Sequence, residues 1–170
     1  GETWLIRPYY PMGDGVYKST DGGAHWQHMG LDATGHIGRI VIDPHDPQRV
    51  FVCALGQLFK AQPERGVYRT LDGGKTWKLV LGPNADTGCN DLAMDPADPN
   101  TLLAGMWQVR VYPWNLDSGG PDGGLYVSRD GGDTWTQRSG HGLPRAPHVV
   151  GKVAVAIAQG TTGGLAFWFP

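Results

Sequence analysis

The sequence predicts an all-β fold built from repeated four-stranded antiparallel sheets, and three observations lead to that prediction. A turn of the form Ser/Thr-x-Asp-Gly-Gly-x-x-Trp occurs three times, with its aspartates at positions 21, 72 and 130. A second turn, Asp-Pro-x-Asp-Pro, occurs twice and begins at Asp43 and Asp95. The 27 glycines and 13 prolines suit many short strands, and no segment repeats apolar residues at helical spacing.

The Asp-Gly-Gly turn predicts a hairpin whose geometry is determined by its own residues. The Ser/Thr hydroxyl ties the start of the turn, and the Asp carboxylate accepts hydrogen bonds from N–H groups further along. Glycine supplies positive φ without steric cost, and the tryptophan opens the returning strand and packs between sheets. We therefore expect a structural role for all three copies. Their residues are Ser19, Asp21, Gly23 and Trp26; Thr70, Asp72, Gly74 and Trp77; and Ser128, Asp130, Gly132 and Trp135.

The two kinds of turn recur with the same period, so the chain is a repeat protein. Asp21 and Asp72 are 51 residues apart (72 − 21), and Asp43 and Asp95 are 52 apart (95 − 43). Four strands in roughly 50 residues is typical of a β-propeller blade. In such a meander both short turns lie on one face, here named the short-turn face. The opposite, long-loop face carries the connections 30–36, 56–65, 82–88, 107–123 and 139–150.

A first, partial blade and two complete blades follow one another within a predicted domain over residues 1–160. Residues 1–8 are predicted as the end of a strand, and with 15–19 and 25–29 they supply three strands of the first blade. The second blade begins with 38–42. This continuous apolar run predicts a strand that is buried on both faces.

The last part of the chain departs from the repeat. Residues 151–158 are predicted as one further inner strand, and 161–170 form an apolar tail that does not fit the pattern. Propellers typically close with about four to eight blades. The sequence therefore predicts either a fragment of a larger propeller or a homo-oligomer, in which two copies would complete a six-bladed ring.

Composition narrows the possible partners. A formal net charge of −2 and a pI near 6.3 give no reason to expect binding to nucleic acid, and no apolar run is long enough for a membrane span. The six histidines show no metal-ligand spacing, so we expect neither a metal ion nor a cofactor. Cys53 and Cys89 lie in or beside apolar strands and could form one disulfide, but two buried free thiols are the favoured expectation.

The repeated turn resembles the Asp-box, or bacterial neuraminidase repeat, found in the propellers of sialidases, sortilin-type domains and xyloglucan-active glycosidases. A longer resemblance reaches to about Ala158 and rests on segments such as 35–40, 64–70, 91–96, 106–108 and 118–121. Over this length the chain is similar to the bacterial sortilin-like (Vps10-type) proteins that are often labelled BNR-repeat glycosyl hydrolases. The resemblance implies a long, exported parent protein located outside the cell or in the periplasm.

The best candidate carbohydrate site lies in the 107–123 connection, because functional residues of a rigid repeat scaffold belong on its longer loops. Trp107, Tyr112 and Trp114 offer aromatic faces on which a sugar can stack, and Asp117 and Asp122 are candidate catalytic carboxylates. The alternative is that these aromatic residues only seal the loop against a neighbouring blade.

Two further features have simpler explanations. His36 and Arg39 flank the start of an inner strand and could bind an anionic ligand, or could make hydrogen bonds between blades. Glu64 and Arg65 are interpreted as a local ion pair at a strand entry. The predicted function is binding of a carbohydrate or protein ligand, with glycoside hydrolysis as the alternative.

Overall fold

A computed structural model describes residues 12–144, 148–158 and the backbone of 165–168, and it is almost entirely β-structure. One 3₁₀ turn, Asp32–Thr34, interrupts the strands. The strands are β1 Tyr17–Lys18, β2 Gln27–His28, β3 Ile37–Ile42, β4 Val50–Ala54, β5 Gly66–Thr70, β6 Lys78–Leu81, β7 Thr87–Met94, β8 Leu102–Tyr112, β9 Asn115–Ser118, β10 Gly124–Ser128, β11 Thr136–Arg138, β12 Ala154–Ile157 and β13 Leu165–Trp168.

The strands pair as the repeat predicts. Strands β3-β4-β5-β6 form one four-stranded antiparallel meander, and β7-β8-β10-β11 form the next. Strands β1 and β2 form the hairpin of the first blade, while β12 pairs with β13. The predicted end of a strand at 1–8 lies outside the described residues. The tail predicted as foreign to the repeat contributes β13, so its backbone continues the sheet that β12 begins.

One connection that was predicted as a long loop is mostly strand. Strand β8 continues to Tyr112 and turns back into β9, with Tyr112 paired to Asn115 and Val109 paired to Ser118. Because Val-Arg-Val-Tyr alternates apolar and polar side chains, the segment has the pattern of a strand, which the loop assignment overlooked. The 107–123 connection is therefore a rigid hairpin that projects from the long-loop face.

The main core lies between the second and third blades. It contains Phe51 and Cys53 of β4, Val67 of β5, and side chains from β7, β8 and β10. Cys53 and Cys89 are bonded to each other across this core, with their Cα atoms 4.9 Å apart. The expectation of free thiols was wrong, because neighbouring blades bring two cysteines 36 residues apart into contact. Single-chain spacing does not reveal that proximity.

The expectation that the apolar run 38–42 is buried on both faces was also wrong. Val41 packs against the main core, but Ile40 and Ile42 are 45% and 58% exposed. Successive side chains of a strand point to opposite faces. The face of β3 turned away from the third blade is therefore open in the described structure, where the first blade contributes only its two outer strands.

The two kinds of short turn contact each other within each complete blade. The N–H of Gly73 donates to the carbonyl of Gln48 (3.0 Å), and the N–H of Gly131 donates to the carbonyl of Asn100 (3.0 Å). These bonds confirm that both turns lie on the short-turn face. No helix in the described residues is long and apolar enough to span a membrane.

Neighbouring blades are joined on the same face by a repeated contact. Lys18 Nζ donates to the carbonyl of Gly73 (3.4 Å), and Arg69 Nη1 donates to the carbonyl of Gly131 (2.7 Å). Lys18 and Arg69 occupy equivalent positions at the ends of β1 and β5. The indole of Trp77 adds a bond to the carbonyl of Met29, 2.7 Å away in the preceding blade. Trp77 thus lies against the preceding blade, but Trp26 is 64% exposed, so the expectation that the tryptophan of every turn packs between sheets was wrong for the first copy.

Candidate functional site

The carboxylates of the three Asp-Gly-Gly turns accept hydrogen bonds from residues of their own turns. Asp72 Oδ1 accepts from the Thr70 hydroxyl (2.7 Å) and from the Thr76 N–H (2.9 Å). The same two acceptor contacts recur at Asp21 and Asp130. In each copy the second glycine, Gly23, Gly74 or Gly132, has positive φ and donates its N–H to the Ser/Thr hydroxyl.

These hydrogen bonds favour the ionised carboxylates. Bonds from the hydroxyl and N–H of Thr134 hold the pKa of Asp130 at about 2, and the N–H and ring of His25 do the same for Asp21. Bonds from Thr76 hold the pKa of Asp72 still lower. Such acids are poor proton donors near neutral pH, in agreement with the structural role expected for the turns.

The β8–β9 hairpin on the long-loop face presents an aromatic platform to solvent. The rings of Tyr112 and Trp114 stack with their centroids 5.9 Å apart and an interplanar angle of 22°. Trp114 stands at the hairpin tip and is 82% exposed, the highest exposure among the large apolar side chains of the described residues. An exposed, pre-stacked pair of rings offers a flat apolar face that a ligand can cover.

A polar pocket of about 150 Å³ lies beside this platform. Its lining combines donors and acceptors from β8, β9 and the loop before β7: Asp86, Gln108, Val109, Arg110, Tyr112, Asp117 and Gly119. The guanidinium of Arg110 pairs with the Asp86 carboxylate, and Asp117 Oδ1 accepts from Asn115 Nδ2 (2.7 Å). Arg110 Nε and Gln108 Oε1 are buried atoms that have no hydrogen-bond partner within the described chain.

The five residues predicted from the sequence separate into two groups. Tyr112, Trp114 and Asp117 lie together at the platform and pocket. Trp107 lies on the same hairpin but is half-buried, and its indole donates to Ser118 Oγ (3.0 Å). Asp122 does not line the pocket, and its carboxylate accepts from Asn84 Nδ2 (2.7 Å).

His36 and Arg39 both make contacts within the protein. His36 is fully buried, its Nδ1 lies 2.8 Å from the carbonyl of Gly56, and burial lowers its pKa, so the ring is neutral. Arg39 Nε donates to Asp91 Oδ1 (3.1 Å), which joins the inner strands of two blades. Asp91 Oδ2 also accepts a hydrogen bond from the N–H of Val155 in β12. The hydrogen bonding between blades that was the simpler explanation for Arg39 is therefore present.

Sequence reasoning selected Asp117 but not Asp86, Gln108 or Arg110, and it missed the residue beneath the pocket. Arg110 shares one face of β8 with Gln108 and Tyr112, and Asp86 comes from the preceding loop. Arg65, interpreted as the partner of Glu64, is instead fully buried, and its guanidinium donates to backbone carbonyls. The signal for Arg110 was the alternation along β8, which places Gln108, Arg110 and Tyr112 on one face. The signal for Arg65 was its absence from the equivalent position in the other two blades.

The chain is similar in sequence to one known protein family and to several characterised proteins. The profile of the Sortilin-Vps10 family, described as "Sortilin, neurotensin receptor 3", matches residues 14–142. A xyloglucanase from Paenibacillus sp is 31% identical over 139 residues, which are 72% of this chain and 12% of that protein. The photosystem II assembly lipoprotein Ycf48 of Prochlorococcus marinus is 28% identical over 144 residues, 71% of this chain and 41% of that protein.

Solved structures support the same fold. The crystal structure of an ancestral GH74 enzyme matches with a TM-score of 0.56 at 23% identity, over 72% of this chain and 15% of that one. The chain spans less than half the length of each of these three relatives. The predicted propeller fold is thus confirmed, and so is the sortilin-like resemblance.

Proposed function

The chain belongs to the Sortilin-Vps10 family, and from that premise we propose that its long-loop face binds a carbohydrate chain. The observation that carries the proposal is the exposed Tyr112–Trp114 stack beside a polar pocket. Sugars present apolar ring faces together with hydroxyl groups that both donate and accept hydrogen bonds. An aromatic platform next to charged donors and acceptors matches both properties.

The pocket composition favours a hydroxyl-rich ligand over the protein ligand that the sequence left open. Arg110 supplies N–H donors, while Asp117 supplies carboxylate acceptors. Gln108 adds a side-chain amide to the lining, a group that both donates and accepts hydrogen bonds. The name of the Paenibacillus relative suggests xyloglucan as the first carbohydrate to test.

We expect binding without hydrolysis. A glycosidase needs two carboxyl groups about 5 to 10 Å apart on either side of the scissile bond. Of the two candidates, Asp117 lines the pocket while Asp122 is bound by Asn84 outside its lining. Asp86 also lines the pocket, but its carboxylate is paired with Arg110. Hydrolysis remains the alternative, supported by the name of the xyloglucanase relative. Reducing-sugar release from xyloglucan that disappears in Asp117→Asn would establish it.

The binding site is tested by calorimetric titration with a xyloglucan oligosaccharide. Trp114→Ala should weaken binding by about tenfold, because a stacked indole contributes on the order of 1–2 kcal/mol. Trp26→Ala is the matched control. Trp26 is also an exposed tryptophan (64%), but it lies on the short-turn face. Unchanged affinity in Trp114→Ala would remove the proposed site, and an equal loss in both variants would indicate nonspecific adhesion.

We also propose that the parent protein works outside the cell or in the periplasm. The buried Cys53–Cys89 disulfide supports this location, since structural disulfides form and persist in oxidising compartments. The lipoprotein named among the relatives points the same way, as the sequence resemblance did.

A further inference from the structure

Arg65 occupies a position at which the three blades carry different residues. The residue directly before the Gly-Val/Leu-Tyr strand is Asp14 in the first blade, Arg65 in the second and Gly123 in the third. Asp14 is an exposed acceptor for the Tyr17 hydroxyl, whereas Arg65 is among the largest fully buried side chains of the described residues. Residues shared by all blades serve the scaffold. A buried charge present in one blade alone calls for a local explanation.

The guanidinium of Arg65 is held in a cage of backbone carbonyls. Its four terminal N–H groups donate to the carbonyls of Asp86 (2.8 Å), Val109 (3.0 Å), Lys60 (3.1 Å) and Gln57. These carbonyls belong to three separate segments: the loop after β4, the loop before β7, and β8. The planar fork of arginine can reach all four, which a single ammonium with three donors cannot do.

The local backbone makes room for this side chain. Gly56 has a φ of +85°, and a Cβ built there would lie 2.4 Å from Arg65 Cγ. Burial lowers the pKa of Arg65 to about 10, so the group stays charged at neutral pH. The second blade therefore contains a buried positive charge. Removing that charge from water is unfavourable, and the hydrogen bonds to the carbonyl cage have to offset the desolvation energy.

The carbonyls that Arg65 holds belong to residues of the pocket. Asp86 and Val109 both line it, and the carbonyl of Asp86 also accepts from the N–H of Val109 (3.2 Å). Beyond them the Asp86 carboxylate pairs with Arg110, directly next to Val109. On the other side of the cage, the N–H of Val111 donates to the carbonyl of Leu58 (2.8 Å) and attaches the hairpin to the loop after β4. Arg65 thus lies beneath both the ion pair and the hairpin that ends in Trp114.

We propose that Arg65 is the positioning residue of the carbohydrate site: it fixes the backbone at Asp86 and Val109, and so aligns the Asp86–Arg110 pair with the Tyr112–Trp114 platform. The inference rests on the proposed function of that platform. Sites that bind through several directed contacts must be held within fractions of an ångström. A residue that fixes two of the contributing segments therefore controls affinity as well as stability.

The test removes the guanidinium group by mutating Arg65 and then supplies free guanidinium ion to replace it. In Arg65→Ala, affinity for a xyloglucan oligosaccharide should fall by about tenfold or more, because pocket groups move from their productive positions. Free guanidinium ion, added well below denaturing concentrations, fits the vacated cage and should restore most of the affinity. Arg65→Lys, which keeps the charge without the fork, should remain weakened. If Arg65→Ala does not fold, the affinity of Arg65→Lys decides: a loss of about tenfold supports the positioning role, and wild-type affinity rejects it.

Arg69→Ala is the matched control. Arg69 also binds a backbone carbonyl, that of Gly131, but on the short-turn face. Its loss should lower the melting temperature, leave affinity unchanged and give no rescue by guanidinium. Wild-type affinity in folded Arg65→Ala, or loss of affinity that guanidinium does not restore, would overturn the assignment.

A second readout separates this inference from the proposed function. The side-chain Nε–H signal of Arg110 in a ¹H–¹⁵N spectrum reports the geometry of the Asp86–Arg110 pair without any ligand. We expect that signal to shift in Arg65→Ala and to return with guanidinium. If the wild-type chain does not bind the oligosaccharide, the proposed function fails, but a shift that guanidinium reverses still supports the positioning role. An unchanged Arg110 signal rejects that role.

Discussion

Removing the Cys53–Cys89 disulfide should cost the protein a large part of its stability. The bond closes a loop with a sequence separation of 36 residues. In the chain-entropy account a loop of that length restricts the unfolded state by about 4 kcal/mol. Total stabilities of single domains are about 5–15 kcal/mol, so the loss is large even for a well-folded chain.

Because the disulfide lies in the core, we use this entropic value to estimate how far the free energy of unfolding falls when the bond is removed. Both cysteines are fully buried in the core between the second and third blades, so the bond joins the two sheets across their apolar interface. Cys53→Ala with Cys89→Ala avoids adding a buried polar group, and the small side chains leave a limited cavity. We therefore expect the free energy of unfolding of the double variant to fall by about 3–4 kcal/mol.

Urea denaturation followed by tryptophan fluorescence measures the effect. With slopes of about 1–3 kcal/mol per molar urea, the midpoint should fall by about 1–4 M. Wild-type protein treated with a reducing agent should show a similar loss, while the double variant should not respond to the agent. A loss below about 1 kcal/mol, or two free thiols detected in the unfolded, unreduced chain, would refute the reasoning.

Three further predictions concern the turns and the open face of β3. Asp72→Ala should lower the melting temperature without changing oligosaccharide affinity, and a large affinity loss at unchanged melting would reverse the structural assignment. Because the pKa values of Asp21 and Asp130 are lowered from 3.8 to about 2, the stability they contribute is present above about pH 4 and declines as the pH falls toward 2. Between pH 4 and pH 2 the melting temperature of Asp130→Asn should accordingly fall by less than that of the wild type. With Ile40 and Ile42 exposed, light scattering at micromolar concentration should give a mass above one chain, and Ile42→Lys should reduce it. A wild-type mass of one chain would exclude association through that face.

Local geometry was predictable from the sequence. The acceptor contacts of Asp72 join residues two and four positions away, so the order of side chains alone determines the turn. The same holds for the two glycines that follow, whose positive φ the Asp-Gly-Gly pattern requires. The period of these turns then predicted the four-stranded sheets and the side of the blade on which each turn lies.

The candidate site was only half predictable. Tyr112, Trp114 and Asp117 are close in sequence, so one hairpin was bound to keep them near each other. Asp86 comes from a different connection, and only the packing of that loop against β8 brings it to Arg110.

The sequence by itself determined the repeat, the turn chemistry and the aromatic hairpin, because each depends on residues within a few positions of one another. The tertiary structure alone decided that the two cysteines meet, which face of β3 is open, and that Arg65 binds four carbonyls rather than Glu64. Those outcomes depend on how one blade packs against the next. Cys53 and Cys89, 36 positions apart in the chain, meet only there, and no local pattern records the contact.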